Sequence, residues 1–155
     1  MLRVGVSLSC RASFGGASVR RGRAHSALLP LASPRRYRDP AYYQEIAGRV
    51  YGGLARTDPA KLLTSMGPLR APSVSGYLGQ LWAISGWSSL PWLHTVQQPT
   101  LVLAGDDDPL VPILNGRILA WRMPHATLHV VRGWGHLFVL ERPAEIARLV
   151  TDFLR

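Results

Sequence analysis

Cysteine is nearly absent from this sequence of 155 residues, since Cys10 is its sole thiol. One cysteine excludes an internal disulfide and a cysteine-rich metal site, and it fits a reducing, cytoplasmic compartment. No apolar run approaches the roughly 20 residues that a membrane-spanning helix needs. The 47% of apolar residues is nevertheless enough for a folded core, so the composition argues against a disordered chain.

Acidic residues are missing from the first 38 positions, where eight arginines stand. This segment therefore holds nearly all of the net charge of +9, and the rest of the chain is close to neutral. A nucleic-acid partner is consequently not predicted. Residues 1–36 show no sustained period of 2 or 3.6, and we expect an irregular tail: a disordered or transit-like segment, or a start foreign to the rest of the chain.

Residues 37–98 carry helix patterns and form the second predicted region. Asp39-Pro40 and Asp58-Pro59 each join an N-cap residue to a first-turn proline. Apolar residues recur at helical spacing from Tyr43 until Gly52-Gly53 ends the first pattern. Another helix is predicted over residues 72–85, so this region reads as a small helical layer.

Residues 99–155 alternate between strand and helix patterns. Thr100–Ala104 is a continuous apolar run typical of a strand covered on both faces. A helix over Pro112–Arg122 follows, with Leu114, Ile118 and Trp121 on one side, and then a short strand over Thr127–Val131. A last helix begins at Pro143. This order predicts an α/β fold with a parallel βαβα unit.

Polar residues follow both predicted strands at the point where each strand ends. Asp106, Asp107 and Asp108 come directly after the first strand, and His136 follows the second. The carboxyl ends of adjacent parallel strands meet at one edge of a sheet, so an Asp and His136 are expected to be hydrogen-bonded neighbours. Such a pair is two thirds of a nucleophile–base–acid triad. The alternatives are a solvated acidic turn and a loop histidine without chemistry.

The two loops resemble segments of the α/β-hydrolase family. Pro99–Pro112 is similar to the family's acid loop, and Gly135-His136 followed by Glu141-Arg142-Pro143 is similar to its terminal histidine segment. The resemblance implies a partial α/β-hydrolase fold, in which a helical lid precedes the βαβα unit. It also implies that Asp108 is the catalytic acid and His136 the general base. Asp106 and Asp107 are expected to be turn and capping residues rather than catalysts.

Residues 33–155 as a whole most resemble intracellular poly(3-hydroxyalkanoate) depolymerases, through Ser33–Tyr37, Tyr51–Gly53 and Leu119–Arg122. This resemblance implies a serine esterase acting on an apolar ester or polyester, and no cofactor is expected. A metal site is not expected either, because no two His or Cys residues stand at ligand spacing. The aromatic residues of the helical layer are then expected to line an apolar approach for acyl chains; they are Tyr77, Trp82, Trp87 and Trp92.

A Gly-x-Ser-x-Gly nucleophile elbow does not occur in the sequence. Ser7 is the nearest candidate, with Ser9 in place of the second glycine, and Ser88 is another. We therefore expect the lid and C-terminal part of a hydrolase, inactive alone, arising from a truncation, a frameshift or a mis-assigned start. Two visible strands would leave open sheet edges through which the chain could self-associate.

Two further functions stay open. One is a catalytically inactive remnant or a binding module of the same fold. The other is a different α/β-hydrolase, such as a carboxylesterase, an epoxide hydrolase or a haloperoxidase-like enzyme, because these relatives use the same pair of Asp and His.

Overall fold

The structure, a computed structural model, describes residues 5–8, 30, 33–67, 71–85 and 88–155. Its strands are β1 (Gly5–Leu8), β2 (Thr100–Gly105) and β3 (Ala126–Val131). Its helices are α1 (Pro40–Tyr51), α2 (Leu54–Thr57), α3 (Pro59–Met66), α4 (Val74–Ser85), α5 (Ile113–Arg122), α6 (Phe138–Glu141) and α7 (Pro143–Phe153). Short 3-10 helices span Pro34–Tyr37 and Leu93–Thr95.

The strands form a parallel sheet in the order β1-β2-β3. In β2 and β3, Thr100 pairs with Ala126 at one end and Gly105 pairs with Val131 at the other. The two strands therefore end at the same level, and the loops that follow them leave the sheet side by side. The predicted α/β fold with adjacent parallel strands is confirmed.

The middle strand is covered on both faces, as its apolar sequence predicts. Leu101 and Leu103 pack with Phe138 and Ile146 on the side of α6 and α7. Val102, which points the opposite way, packs with residues of α5 and of the Leu93–Thr95 turn. All six residues of β2 are buried, so this strand is the centre of the core.

The helical region begins with the predicted caps. The Asp39 carboxylate accepts the Tyr42 backbone N–H, and the Asp58 carboxylate accepts that of Lys61. One buried cluster joins α1, α2 and α3; it contains Tyr43, Ile46, Ala47, Val50, Tyr51, Ala55 and Leu62. No helix among the described residues is both long and apolar enough to cross a membrane.

Residues 1–36 depart from the expected irregular tail at two places. Gly5–Leu8 forms β1, and Pro34–Tyr37 is a 3-10 helix capped by Ser33, whose hydroxyl accepts the Arg35 N–H. The edge of β2 carries backbone donors and acceptors that need partners, and β1 supplies them. Within the part of the chain that the structure describes, the sheet thus has three strands rather than the two expected. Residues 1–4, 9–29 and 31–32 lie outside the described part of the chain.

Helix α5 does not pack on the sheet through the apolar stripe that the sequence predicts. Leu114 is 37% exposed and Trp121 78% exposed, whereas Asn115, Gly116 and Leu119 are buried. The reason lies at Gly116, because a Cβ there would stand 3.0 Å from that of Ala104. The helix thus approaches β2 through its glycine, and this close approach turns the larger side chains outward.

Two glycines with the same backbone conformation allow the packing at the end of α1 to be measured. Gly52 has φ 65° and Gly67 has φ 67°, but a Cβ on Gly52 would run into the Asp107 carbonyl oxygen, whereas one on Gly67 would meet nothing within 4 Å. Gly67→Ala should cost about 1–3 kcal/mol through backbone strain alone, because a positive φ with extended ψ is adopted essentially only by glycine. Gly52→Ala should cost at least about 1 kcal/mol more through overpacking. Urea unfolding measures both, and equal costs would show that the Gly52 contact contributes nothing.

Candidate active site

Asp108 and His136 are joined by a hydrogen bond at the carboxyl ends of β2 and β3. His136 Nδ1 lies 2.9 Å from Asp108 Oδ2. The second carboxylate oxygen, Oδ1, accepts the backbone N–H groups of Leu110 and Val111, each at 2.8 Å. The Asp108 side chain is 7% exposed and that of His136 is 14% exposed. The predicted pairing is therefore confirmed, and both carboxylate oxygens are fixed.

The three consecutive aspartates have three different partners. Asp106 Oδ1 accepts the Gly133 N–H at 2.6 Å, which ties the acid loop to the histidine loop. Asp107 Oδ2 accepts the Gly53 N–H at 2.7 Å. Neither carboxylate takes the place of Asp108 beside His136, so the geometry agrees with the expectation of turn and capping residues.

His136 is also held through its backbone and its ring face. Its N–H donates to the Tyr51 carbonyl oxygen at 2.6 Å. The Tyr51 ring stacks on the imidazole with centroids 6.4 Å apart and an interplanar angle of 25°. Burial raises the pKa of Tyr51, so its hydroxyl stays protonated at neutral pH. The end of α1 thus limits where the imidazole can lie.

Glycines permit the loops to touch one another. A Cβ on Gly105 would strike the Trp134 carbonyl oxygen, and one on Gly135 would strike that of Tyr51. Trp134 is buried, and its ring packs 6.1 Å from that of Phe138. The histidine loop is therefore packed between the acid loop, the end of α1 and the start of α6.

Glu141 is a half-buried residue beside this arrangement that the sequence did not single out as a site residue. Its Oε2 accepts the Leu54 N–H at 3.3 Å. Its Oε1 is buried without a hydrogen-bond partner within the described residues. Burial raises the pKa of Glu141, although the Leu54 hydrogen bond and the Arg142 charge oppose this shift. Only its place shortly after the histidine loop could have suggested a role.

A cavity of about 150 Å³ lies beside Asp108 and His136. Its other lining residues are mainly apolar: Leu103, Ala104, Gly105, Val111, Gly116, Leu137, Phe138, Val139 and Leu140. The cavity therefore offers an apolar surface next to one acid–base pair, which suits the uncharged part of a substrate.

The aromatic residues of the helical layer that the structure describes do not line this cavity. Tyr77 is 4% exposed and packs edge-to-face against Tyr37, with centroids 6.1 Å apart. Trp82 is 82% exposed and Trp92 is 52% exposed, so both lie at the surface. Trp87 lies outside the described residues. The helix patterns around these aromatics indicated a layer but could not indicate which side of it faces the site.

Neither serine considered in the sequence is placed as a nucleophile. Ser7 pairs with Val102 within the ladder, three residues before Gly105, and so lies roughly 10 Å back from the carboxyl edge along the strand. The Ser88 hydroxyl accepts the Leu90 N–H at 3.3 Å, within the connection that leads to β2. A nucleophile elbow needs its serine just after a strand, at that edge.

No group of three or more His, Cys, Asp or Glu side chains that could hold a metal ion occurs in the described ranges. The arrangement instead presents one carboxylate–imidazole pair beside an apolar cavity. Such a pair can accept a proton from a nucleophile and return it to a leaving group.

The fold agrees with that of the proteins that the chain resembles. A family model described as the alpha/beta hydrolase fold matches residues 30–143. The chain therefore belongs to the α/β-hydrolase family. It is 48% identical over 128 residues to the poly(3-hydroxyalkanoate) depolymerase of Ectopseudomonas oleovorans, a match that covers 83% of this chain and 45% of the depolymerase.

A second relative matches a shorter segment. The chain is 40% identical over 72 residues to the 2-hydroxy-6-oxo-6-phenylhexa-2,4-dienoate hydrolase of Comamonas testosteroni, covering 46% of this chain and 25% of that protein. The chain thus spans less than half the length of either curated relative.

Solved structures support the same fold. The enzyme MGS-M2, from a Medee basin deep-sea metagenome library, aligns with a TM-score of 0.67 at 16% identity, over 88% of this chain and 52% of that one. The enol-lactonase of Burkholderia xenovorans LB400 aligns with a TM-score of 0.65 at 21% identity, over 84% and 50%. These similarities establish the α/β-hydrolase fold.

The raised pKa of Glu141 predicts a pH dependence of stability. The folded protein holds this proton more tightly than the unfolded chain, so the resulting stability is complete below the ordinary value of 4.5 and is lost as pH rises through the folded pKa. Glu141→Gln cannot ionise and should lose less stability over that rise. Unfolding free energies measured at a series of pH values test this, with the exposed Glu45→Gln as the reference for losing one carboxylate. Parallel curves for wild type and Glu141→Gln would contradict it.

Proposed function

We propose that Asp108 and His136 are the acid and base of a serine-type ester hydrolase related to poly(3-hydroxyalkanoate) depolymerases. The observation that carries this proposal is the 2.9 Å contact between His136 Nδ1 and Asp108 Oδ2, where β2 and β3 end together. The other Asp108 oxygen is already held by two backbone N–H groups. The carboxylate is thus positioned to fix one tautomer and one orientation of the imidazole.

In this mechanism His136 carries Nδ1–H toward Asp108 and uses Nε2 for proton transfer. Nε2 takes the proton of a serine hydroxyl as the oxygen attacks the ester carbonyl. Asp108 stabilises the imidazolium that forms and stays ionised throughout. The imidazolium then returns the proton to the leaving alcohol oxygen, and a water molecule repeats the sequence on the acyl-enzyme.

The proposed substrate is an ester bond between hydroxyalkanoate units. Identity of 48% to the Ectopseudomonas oleovorans depolymerase extends over 83% of this chain, whereas similarity to the Comamonas testosteroni hydrolase covers only 46%. The mainly apolar cavity beside His136 would receive an uncharged acyl side group.

We also retain a cytoplasmic location, the absence of a nucleic-acid partner and self-association through sheet edges as predictions.

The nucleophilic serine is proposed to come from a segment other than these 155 residues. No Gly-x-Ser-x-Gly occurs in the sequence, and the ladder position of Ser7 is unlike that of an elbow serine. This chain therefore supplies the lid and the acid–base pair, and another segment supplies the nucleophile.

The chain on its own is expected to be inactive. Loss of a triad nucleophile costs about 10⁶-fold in turnover, so it should neither hydrolyse short-chain or medium-chain activated esters nor react with a fluorophosphonate probe. Wild type, His136→Ala and Ser7→Ala are compared at equal protein concentration. Stoichiometric labelling that both substitutions abolish would instead make Ser7 the nucleophile. Labelling that survives Ser7→Ala but not His136→Ala would direct attention to Ser88.

Adding a nucleophile tests the proposal directly. The full 155-residue chain is refolded with the segment of the Ectopseudomonas oleovorans depolymerase that precedes its region of similarity, and hydrolysis of medium-chain esters is measured. Activity should appear, and Asp108→Asn should lower its kcat by about 10⁴-fold because the histidine tautomer is lost. Asp58→Asn, which alters a helix cap instead, is the matched control.

The same assay separates the alternatives. A folded complex without activity toward any ester would favour a remnant or a binding module. Cleavage of a 2-hydroxy-6-oxo-dienoate in preference to a hydroxyalkanoate ester would favour the chemistry named for the second relative.

A further inference from the structure

One short segment at the end of α1 contacts both loops that carry the acid–base pair. We call residues Tyr51–Leu54 the bridging segment. Its Tyr51 carbonyl oxygen accepts the His136 N–H at 2.6 Å. Its Gly53 N–H donates to the Asp107 carboxylate at 2.7 Å, and its Leu54 N–H donates to Glu141 at 3.3 Å. The segment therefore fixes the backbone of His136 and is itself fixed by Asp107 and Glu141.

Asp107 is the residue through which the acid loop holds this segment. The carboxylate oxygen that accepts the Gly53 N–H also accepts Arg56 Nε at 2.8 Å, and the other oxygen accepts Arg56 Nη2 at 3.1 Å. The Asp107 backbone N–H donates to the Trp134 carbonyl oxygen at 3.1 Å. One residue thus connects the acid loop, the histidine loop and the start of α2.

The exposure of the ion pair argues for a geometric role. The Arg56 and Asp107 side chains are 47% and 36% exposed, and ion pairs at that exposure contribute little to stability. The paired guanidinium, however, has two parallel hydrogen bonds, which set the direction of the carboxylate as well as its charge. With that direction, one carboxylate oxygen lies 2.7 Å from the Gly53 backbone nitrogen.

We propose that Asp107 and Arg56 are positioning residues for His136, acting through the bridging segment. When the two hydrogen bonds between Arg56 and Asp107 are lost, the bridging segment moves away from the acid loop. The Tyr51 carbonyl oxygen, which accepts the His136 N–H, moves with it. The hydrogen bond between the His136 imidazole and Asp108 then becomes longer and less linear. This inference rests on the proposed function only in taking the Asp108–His136 pair as the acid–base pair.

The test reads the imidazole itself and needs neither substrate nor serine. In the full chain, ¹H and ¹⁵N NMR of labelled histidines follows the His136 Nδ1–H resonance and the midpoint of the His136 titration. Arg56→Ala is the decisive variant because its two possible effects have opposite signs. Removing a positive charge alone would raise the midpoint, whereas a loosened contact with Asp108 should lower it by about one pH unit and broaden the Nδ1–H resonance.

Titratable and charged side chains lie near His136 on the acid loop, at the bridging segment and α2, and at the end of α6. They are Asp106, Asp107 and Asp108 on the acid loop, Tyr51 and Arg56 at the bridging segment and α2, and Glu141 and Arg142 at the end of α6. Among them only the guanidinium changes in Arg56→Ala, so a lowered midpoint requires a change in position.

Two further variants complete this comparison. Arg56→Lys keeps the positive charge but loses the paired hydrogen bonds to Asp107. The Nδ1–H resonance should therefore weaken, although the charge acting on His136 is unchanged. Asp58→Ala removes an aspartate that caps α3, and it should leave the resonance unchanged. A raised or unchanged midpoint with a sharp resonance in Arg56→Ala would overturn the positioning role.

Asp108→Ala separates this inference from the proposed function. It should abolish the Nδ1–H resonance. If the resonance and midpoint survive in Asp108→Ala, the acid–base pair itself is absent and the proposed function fails. If Asp108→Ala responds and Arg56→Ala does not, only the positioning role is lost.

Discussion

The in-register pairing of β2 with β3 is the constraint on which the site depends. Because Gly105 stands opposite Val131, both loops leave the sheet at one level, and residues 28 positions apart in sequence come within hydrogen-bonding distance. A shift of one residue would displace one loop relative to the other by roughly 3.3 Å and would also turn every β3 side chain to the other face. Burial of β2 on both faces therefore stabilises the core and also keeps Asp108 and His136 within hydrogen-bonding distance.

Much of this arrangement could be predicted because it depends on local patterns. Aspartate–proline pairs define two helix starts, an apolar run defines β2, and the order of strands and helices defines a parallel sheet. Parallel pairing in turn predicts that polar residues after each strand will meet. The assignment of Asp108 rather than its two neighbours came from resemblance to a family, since three adjacent carboxylates look alike to any argument from spacing.

The rest depended on contacts between distant residues. The apolar stripe of Leu114 and Trp121 suggested the inner face of α5, but a glycine allowed the opposite approach, and the space around a glycine is invisible in sequence. Pairing of Gly5–Leu8 with β2 joins residues about 95 positions apart, for which no periodicity gives a hint. The Tyr51–Leu54 contacts were likewise hidden, because a Gly-Gly pair indicates only where a helix stops.

The run Asp106–Asp108 also bears on how this loop can change in the course of evolution. Each carboxylate meets a different element, so the three positions are chemically identical but not interchangeable. Consecutive Cα atoms lie about 3.8 Å apart, more than a hydrogen bond can stretch. Deleting one of them would therefore leave two aspartates for three partners and displace the residues that follow, even though the composition of the loop would hardly differ.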